Sequence, residues 1–240
     1  DADTKLLSWG NAGGLIKFYG DKKDKDGRRG YGYVDNTQGT FTPVGDPIES
    51  VQVGGVAGVK LDGQGALLWN ERTKLGLYGN RDFGADFWVR KKAGSGDAVI
   101  AALTGKDGKS FQFKWSDFPD AKEGVWQHLA YTYEGGGETR EEAGLLRIFV
   151  KEKEVASRQQ KFDLPHDASI SVGGWVKNAR APAVTKGFSG ELGQVRIYNY
   201  DISMDEVEEH FREESPHYFR TPAAVAEKLY VDIDCRRYED

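Results

Sequence analysis

The segment Val125-Trp126-Gln127-His128-Leu129-Ala130-Tyr131-Thr132-Tyr133-Glu134-Gly135 carries the strongest structural signal in this chain. Leu129, Tyr131 and Tyr133 alternate with His128, Ala130 and Thr132, the period of two that sends successive side chains to opposite faces of a strand. The first set makes one face of a buried strand. His128 is expected to bond a neighbouring backbone group through a ring nitrogen, with Trp126 packed alongside.

Strand-like segments flank it on both sides. In Phe83–Val89, Phe87 and Val89 share one face while Asp86 and Trp88 share the other. Ala98–Leu103 and Ser110–Trp115 read as a hairpin whose tip, Asp107-Gly108, supplies the positive φ that tight turns need. Leu145–Val150 is a strand, as is the segment holding Ile170 and Val172. Glu191–Tyr198 is another, with Leu192, Gln194, Arg196 and Tyr198 predicted on one face. Ser203 and Glu206 form a capping box that opens a helix with Met204, Val207 and Phe211 as its apolar stripe, and Pro216 is expected to end it. Before residue 50, two short strands are expected within 1–20 and a long irregular arm over 21–47. Leu229, Val231 and Ile233 alternate with polar residues near the other end, as an edge strand would.

Five motifs in a fixed order, Gly58-Val59-Lys60-Leu61-Asp62-Gly63, Ala85–Val89, the Val125–Gly135 segment, Leu146–Val150 and Phe188–Asn199, resemble the laminin-G-like family of concanavalin A-type jelly rolls. The resemblance implies an all-β, two-sheet antiparallel sandwich with one short C-terminal helix. The chain then divides into N-terminal strands and an irregular arm (1–49), the jelly roll (50–215) and a C-terminal extension with a strand-like tail (216–240). Members of the family carry Asp-Gly in the turn after the fourth motif. Glu152-Lys153 stands there in this chain and implies a looser turn.

Composition agrees with an all-β chain: 31 of 240 residues are glycine and 12% are aromatic. A net charge of −5 without a basic stripe lacks the electrostatic footprint of a nucleic-acid binder. One cysteine, Cys235, excludes an intrachain disulfide and a cysteine zinc site. A disulfide-free secreted protein is ordinary for bacteria, so a bacterial, secreted, surface or periplasmic setting is expected. No apolar run approaches the ~20 residues that span a bilayer.

Relatives on this fold include lectin-like modules, adhesion domains, calcium-dependent pentraxin-like proteins and some glycoside hydrolases. The hydrolases carry Glu-x-Asp-x-x-Glu on one strand, and this chain has no such motif. None of its four histidines stands by a nucleophile-elbow motif. A non-catalytic module recognising a glycan or a surface protein is therefore expected. The alternative is a structural domain of a larger assembly acting through its terminal arms, by self-association or with neighbouring domains, and a glycan-degrading enzyme comes third. Sugars stack on exposed aromatic rings beside polar groups, which marks Trp175 with Lys177, Asn178 and Arg180, and also Tyr78 and Trp69. Calcium needs several oxygen ligands, and Asp62, Asn80, Asp82 and Asp86 are the candidates, with turn capping as the competing role.

Overall fold

The computed structural model describes residues 9–10, 16–23, 29–33, 40–53, 56–69, 77–136, 141–165, 167–178 and 180–219. The predicted tail strand, His166 and Glu138 lie outside them. Strands are numbered in chain order. One sheet has six strands in the order β1 (Trp9–Gly10), β4 (Thr40–Gly45), β7 (Gly65–Trp69), β14 (Ser169–Val172), β9 (Val99–Thr104) and β10 (Ser110–Lys114). The other has nine. Its main path is β13 (Lys153–Gln160), β12 (Gly144–Val150), β11 (Gln127–Glu134), β8 (Phe83–Lys91), β17 (Ser189–Tyr198), β2 (Ile16–Lys23) and β3 (Arg29–Tyr33). The hairpin of β5 (Glu49–Val53) and β6 (Val56–Asp62) joins it through β17, and β15 (Trp175–Val176) pairs with β16 (Val184–Thr185) as a separate ribbon. The ladders are antiparallel except that β2 lies parallel to β17. Helix α1 covers Met204–Phe219.

Alternation builds the core as the sequence predicts. Phe87 and Val89 on β8 and Leu129, Tyr131 and Tyr133 on β11 point between the sheets, where they meet Leu67, Leu103, Phe113, Ile170 and Val172 of the opposite sheet. The ring of Phe113 meets those of Phe87 and Tyr131 edge-on, with centroids 5.3 Å away in both cases, the arrangement aromatic quadrupoles favour. The Ser203–Glu206 capping box forms in full. Ser203 N–H donates to Glu206 Oε2 at 2.7 Å, and Glu206 N–H donates to Ser203 Oγ at 3.2 Å.

Four local expectations are corrected. Residues 21–47 are not one irregular arm, because β2, β3 and β4 run through them into both sheets. Leu192 does not share a face with Arg196. The register shifts between Leu192 and Val195, so Leu192, Val195 and Ile197 all reach the core, as an extra residue in a bulge allows. The turn after β12 is tight, because Val150 pairs directly with Lys153 and Lys151 takes φ 60°. Pro216 lies inside α1 instead of ending it. Proline removes one helical N–H, and the Arg212 carbonyl left over has the Ser215 hydroxyl 3.5 Å away. The ring of Tyr218, stacked on Trp88 at 4.1 Å, holds the last turn in place.

Candidate functional site

The sandwich is open on one side. There β10 ends the six-stranded sheet and β13 ends the nine-stranded sheet. Between them lies a groove of about 440 Å³. Ser110, Phe111, Gln112 and Lys114 line it from β10, and Arg158 and Gln160 from β13. Tyr131, Leu146 and Phe162 also line it, with Asp117 and Lys186 completing it. Phe111 and Phe162 are half-buried and meet edge-on at 5.2 Å, so the floor is an aromatic surface fixed by the core behind it.

Its polar groups are held in place. Arg158 Nε–H donates to Gln160 Oε1 at 2.9 Å. Asp117 accepts the Lys114 backbone N–H at 3.0 Å and lies beside the Tyr131 hydroxyl. Burial and the neighbouring Asp117 charge push the Tyr131 hydroxyl well above the usual tyrosine range. Tyr131 is thus held as the neutral hydroxyl. The groove offers rings, amides, a carboxylate and cations side by side.

A second polar assembly lies on the outer face of the nine-stranded sheet, sealed beneath α1. Asp86 is wholly buried. Arg196 Nη1–H donates to its Oδ1 at 2.7 Å, the Tyr198 hydroxyl to its Oδ2 at 2.7 Å, and His210 Nδ1 stands 2.9 Å from Oδ2. Arg196 also pairs with Glu214 of α1, which accepts the Trp88 indole N–H at 2.7 Å. Burial works against the Asp86 charge. Arg196, with His128 and His210 beside it, outweighs that and holds the carboxyl well below the usual carboxylate range. Burial lowers the His128 pKa, with Asp86 pulling the other way. Neither His128 ring nitrogen has a hydrogen-bond partner, and Nε2 stands 3.7 Å from Asp86. The expected backbone bond is absent, and the ring packs on Trp88 at 5.1 Å while Trp126 packs on Tyr218. This assembly pins a helix to a sheet.

The residues singled out in the sequence scatter. Trp69 is only 2% exposed and stacks against Phe41, so it offers no surface platform. Trp175 is half-buried and donates its indole N–H to Thr104 Oγ1 at 3.2 Å. Lys177, Asn178 and Arg180 beside it are exposed, with Asn178 Oδ1 capping the Arg180 N–H at 2.9 Å. Tyr78 is half-buried beneath the Arg81 guanidinium, 3.7 Å from its ring centre.

The four candidate calcium ligands do not converge. Asp86 engages both oxygens with the donors above. Asp62 Oδ1 caps the Gln64 N–H at 2.9 Å, and Asp82 Oδ1 accepts the Gly135 N–H at 2.8 Å. Asn80 Oδ1 accepts from the Tyr133 hydroxyl and the Phe162 N–H, and its Nδ2 donates to the Glu142 carbonyl. Among the described residues no group of three or more His, Cys, Asp or Glu is placed to hold a metal ion.

The groove itself escaped the sequence reading. Its one signal was a strand of alternating aromatics, Phe111 and Phe113, beside the polar stretch of 153–160. Nothing in the order of residues says that these two strands end neighbouring sheet edges.

Comparison with known proteins agrees with the fold. Residues 94–208 match the family model of the concanavalin A-like lectin/glucanases superfamily. A search of curated proteins finds no match. Among solved structures, domain 4 of the extracellular arabinanase AbnA from Geobacillus stearothermophilus, in complex with arabinotriose, is 16% identical with a TM-score of 0.50, over 86% of this chain and 98% of that one. The binding domain of paraclostridial mosquitocidal protein 1 is 12% identical, with a TM-score of 0.51, over 88% and 52%. The binding domain of botulinum neurotoxin serotype G is 14% identical, with a TM-score of 0.50, over 88% and 51%. The chain spans about half the length of these two toxin domains. No described helix is long and apolar enough to cross a membrane.

Proposed function

We propose, from the concanavalin A-like lectin fold of this chain, that it is a non-catalytic binding module, secreted or displayed at a cell surface, that takes a glycan in the groove between β10 and β13. The observation that carries this reading is the groove itself. Phe111 and Phe162 offer partly exposed rings to the apolar face of a sugar, and Gln112, Gln160, Asp117 and Arg158 offer planar hydrogen-bonding groups beside them. Sites for small ligands combine these two features: an apolar wall for affinity and a few fixed polar groups for orientation. The same fold carries arabinotriose in the arabinanase domain.

Asp86 and the histidines beside it, His128 and His210, lie beneath α1, away from the groove. The groove's one carboxylate, Asp117, is engaged by the Lys114 backbone N–H. That arrangement favours binding over hydrolysis.

Calorimetric titration with an oligosaccharide panel tests the reading. Gln112→Ala and Gln160→Ala are each expected to weaken binding about tenfold, ~1.4 kcal/mol, and Trp175→Ala to leave it unchanged. Loss of binding in Trp175→Ala with both glutamine variants unaffected would move the site to the loop of Trp175, Lys177, Asn178 and Arg180. Absence of binding to every oligosaccharide would overturn the glycan reading.

A further inference from the structure

The charges of the groove add a preference to that reading, on which this inference rests. Lys114, Arg158 and Lys186 line the groove, and Asp117 is the one carboxylate among its lining residues. Several surface cations elsewhere hold a carboxylate partner. Lys60 pairs with Glu49, Lys109 with Asp163 and Lys161 with Glu141. The contrast is sharpest with a second cavity of about 400 Å³, beside β6 and the end of β8. There Lys60, Arg90 and Lys91 each hold a carboxylate, Glu49, Glu191 and Glu123 respectively, and of the four cations lining it Lys92 alone has no ion pair among the described residues. In the β10–β13 groove no ion pair engages Lys114, Arg158 or Lys186 among the described residues. Arg158 is moreover steadied by its Nε–H bond to Gln160, which leaves the terminal nitrogens of its fork for a ligand.

Excess positive charge in the groove of a chain whose net charge is −5 calls for a ligand that supplies the counter-charge. The net charge does not cancel this, because charges beyond a Debye length of about 8 Å are largely screened at physiological salt. A ligand seated in the groove feels the nearest cations. A guanidinium fork pairs bidentately with planar or tetrahedral oxyanions. We propose that the groove selects an anionic glycan, whose sugars bear carboxylate or sulfate groups, over a neutral one. An extended acidic peptide is the less suited occupant. β10 is five residues long and its register shifts between Phe113 and Lys114, which leaves an incoming strand little regular edge to pair with.

The experiment titrates the whole chain with matched oligosaccharides that are neutral, carboxylated or sulfated, at low and high salt, and with an acidic peptide. Anionic oligosaccharides are expected to bind about tenfold or more tightly than their neutral counterparts, with the advantage shrinking as salt rises. The carboxylated and sulfated arms tell which oxyanion the fork prefers. Lys114→Gln and Lys186→Gln should erase the advantage while leaving neutral binding in place, whereas Arg158→Gln should weaken both. Lys92→Gln, which removes an exposed cation outside the groove, should do neither, and far-ultraviolet circular dichroism confirms that each variant folds. Equal affinity for neutral and anionic oligosaccharides overturns the inference and leaves the glycan reading standing. Binding of the peptide with no oligosaccharide bound overturns both.

Discussion

The outer face beneath α1 and the groove on the open side both collect charged side chains from distant parts of the chain, and they treat them oppositely. Beneath the helix each charge is closed off. Asp86, Arg196 and Glu214 neutralise one another, Tyr198 and Trp88 donate the remaining bonds, and Tyr218 stacks over the end. In the groove, Lys114, Arg158 and Lys186 face solvent with little opposing charge. The first arrangement orders the fold at the expense of access. The second keeps access and leaves its electrostatic needs to a ligand. Removing a charge should therefore cost stability in one place and affinity in the other.

The largest effect is expected from Arg196→Met. It leaves the buried Asp86 carboxylate without its guanidinium partner, and breaking one side of such a pair costs about 3–5 kcal/mol. Urea denaturation would show it as a lowered midpoint. A midpoint within error of the parent would mean that the Asp86–Arg196–Glu214 pairing does not hold α1 to the sheet.

Acid should act on the same region. His128 has a lowered pKa when folded, so the unfolded chain takes up more protons as pH falls through the ordinary histidine value of 6.5. Stability then declines below that pH. Asp86 adds a second decline. Its folded pKa lies well below 3.8, so its contribution is complete above the unfolded value and is lost as pH falls from there towards the folded one. A stability curve flat from pH 7 to pH 3 would contradict both.

Ser203→Ala removes the cap of α1 and should cost about 1 kcal/mol, which amide exchange in the first helical turn would detect. Lys151→Gly should stabilise, by up to about 1 kcal/mol, because Lys151 occupies the left-handed region at the first central position of a hairpin turn, where glycine is favoured. Smallest of all, Arg158→Gln should change stability by no more than about 0.5 kcal/mol, although it removes the same kind of charge as Arg196→Met. A large loss of stability there would erase the distinction between the two regions.

Much of the scaffold was legible. Alternation in β8, β10 and β11 placed Phe87, Phe113 and Tyr131 inward, because one face of each strand had to leave water. The Ser203–Glu206 box marked the start of α1 because its hydrogen bonds are local. Where side-chain partners lie far apart in sequence, the reading failed. Asp86 stood among the candidate calcium ligands because Arg196, which engages it, is 110 positions away. Trp69 looked like a platform because Phe41, against which it stacks, belongs to a segment read as an arm. The bulge that turns Leu192 inward is one residue of extra backbone and changes no residue type.

The sequence by itself determined the strands, their buried faces and the capped helix, since each follows from neighbours a few positions apart and from the removal of apolar surface from water. Only the tertiary structure decided which charges cancel and which remain. It set α1 over Asp86 and Arg196, and it brought the edges of two separate sheets together so that Lys114 and Arg158 share one groove. Electrostatic pairing depends on distance through space, and that distance exists only once both sheets have formed.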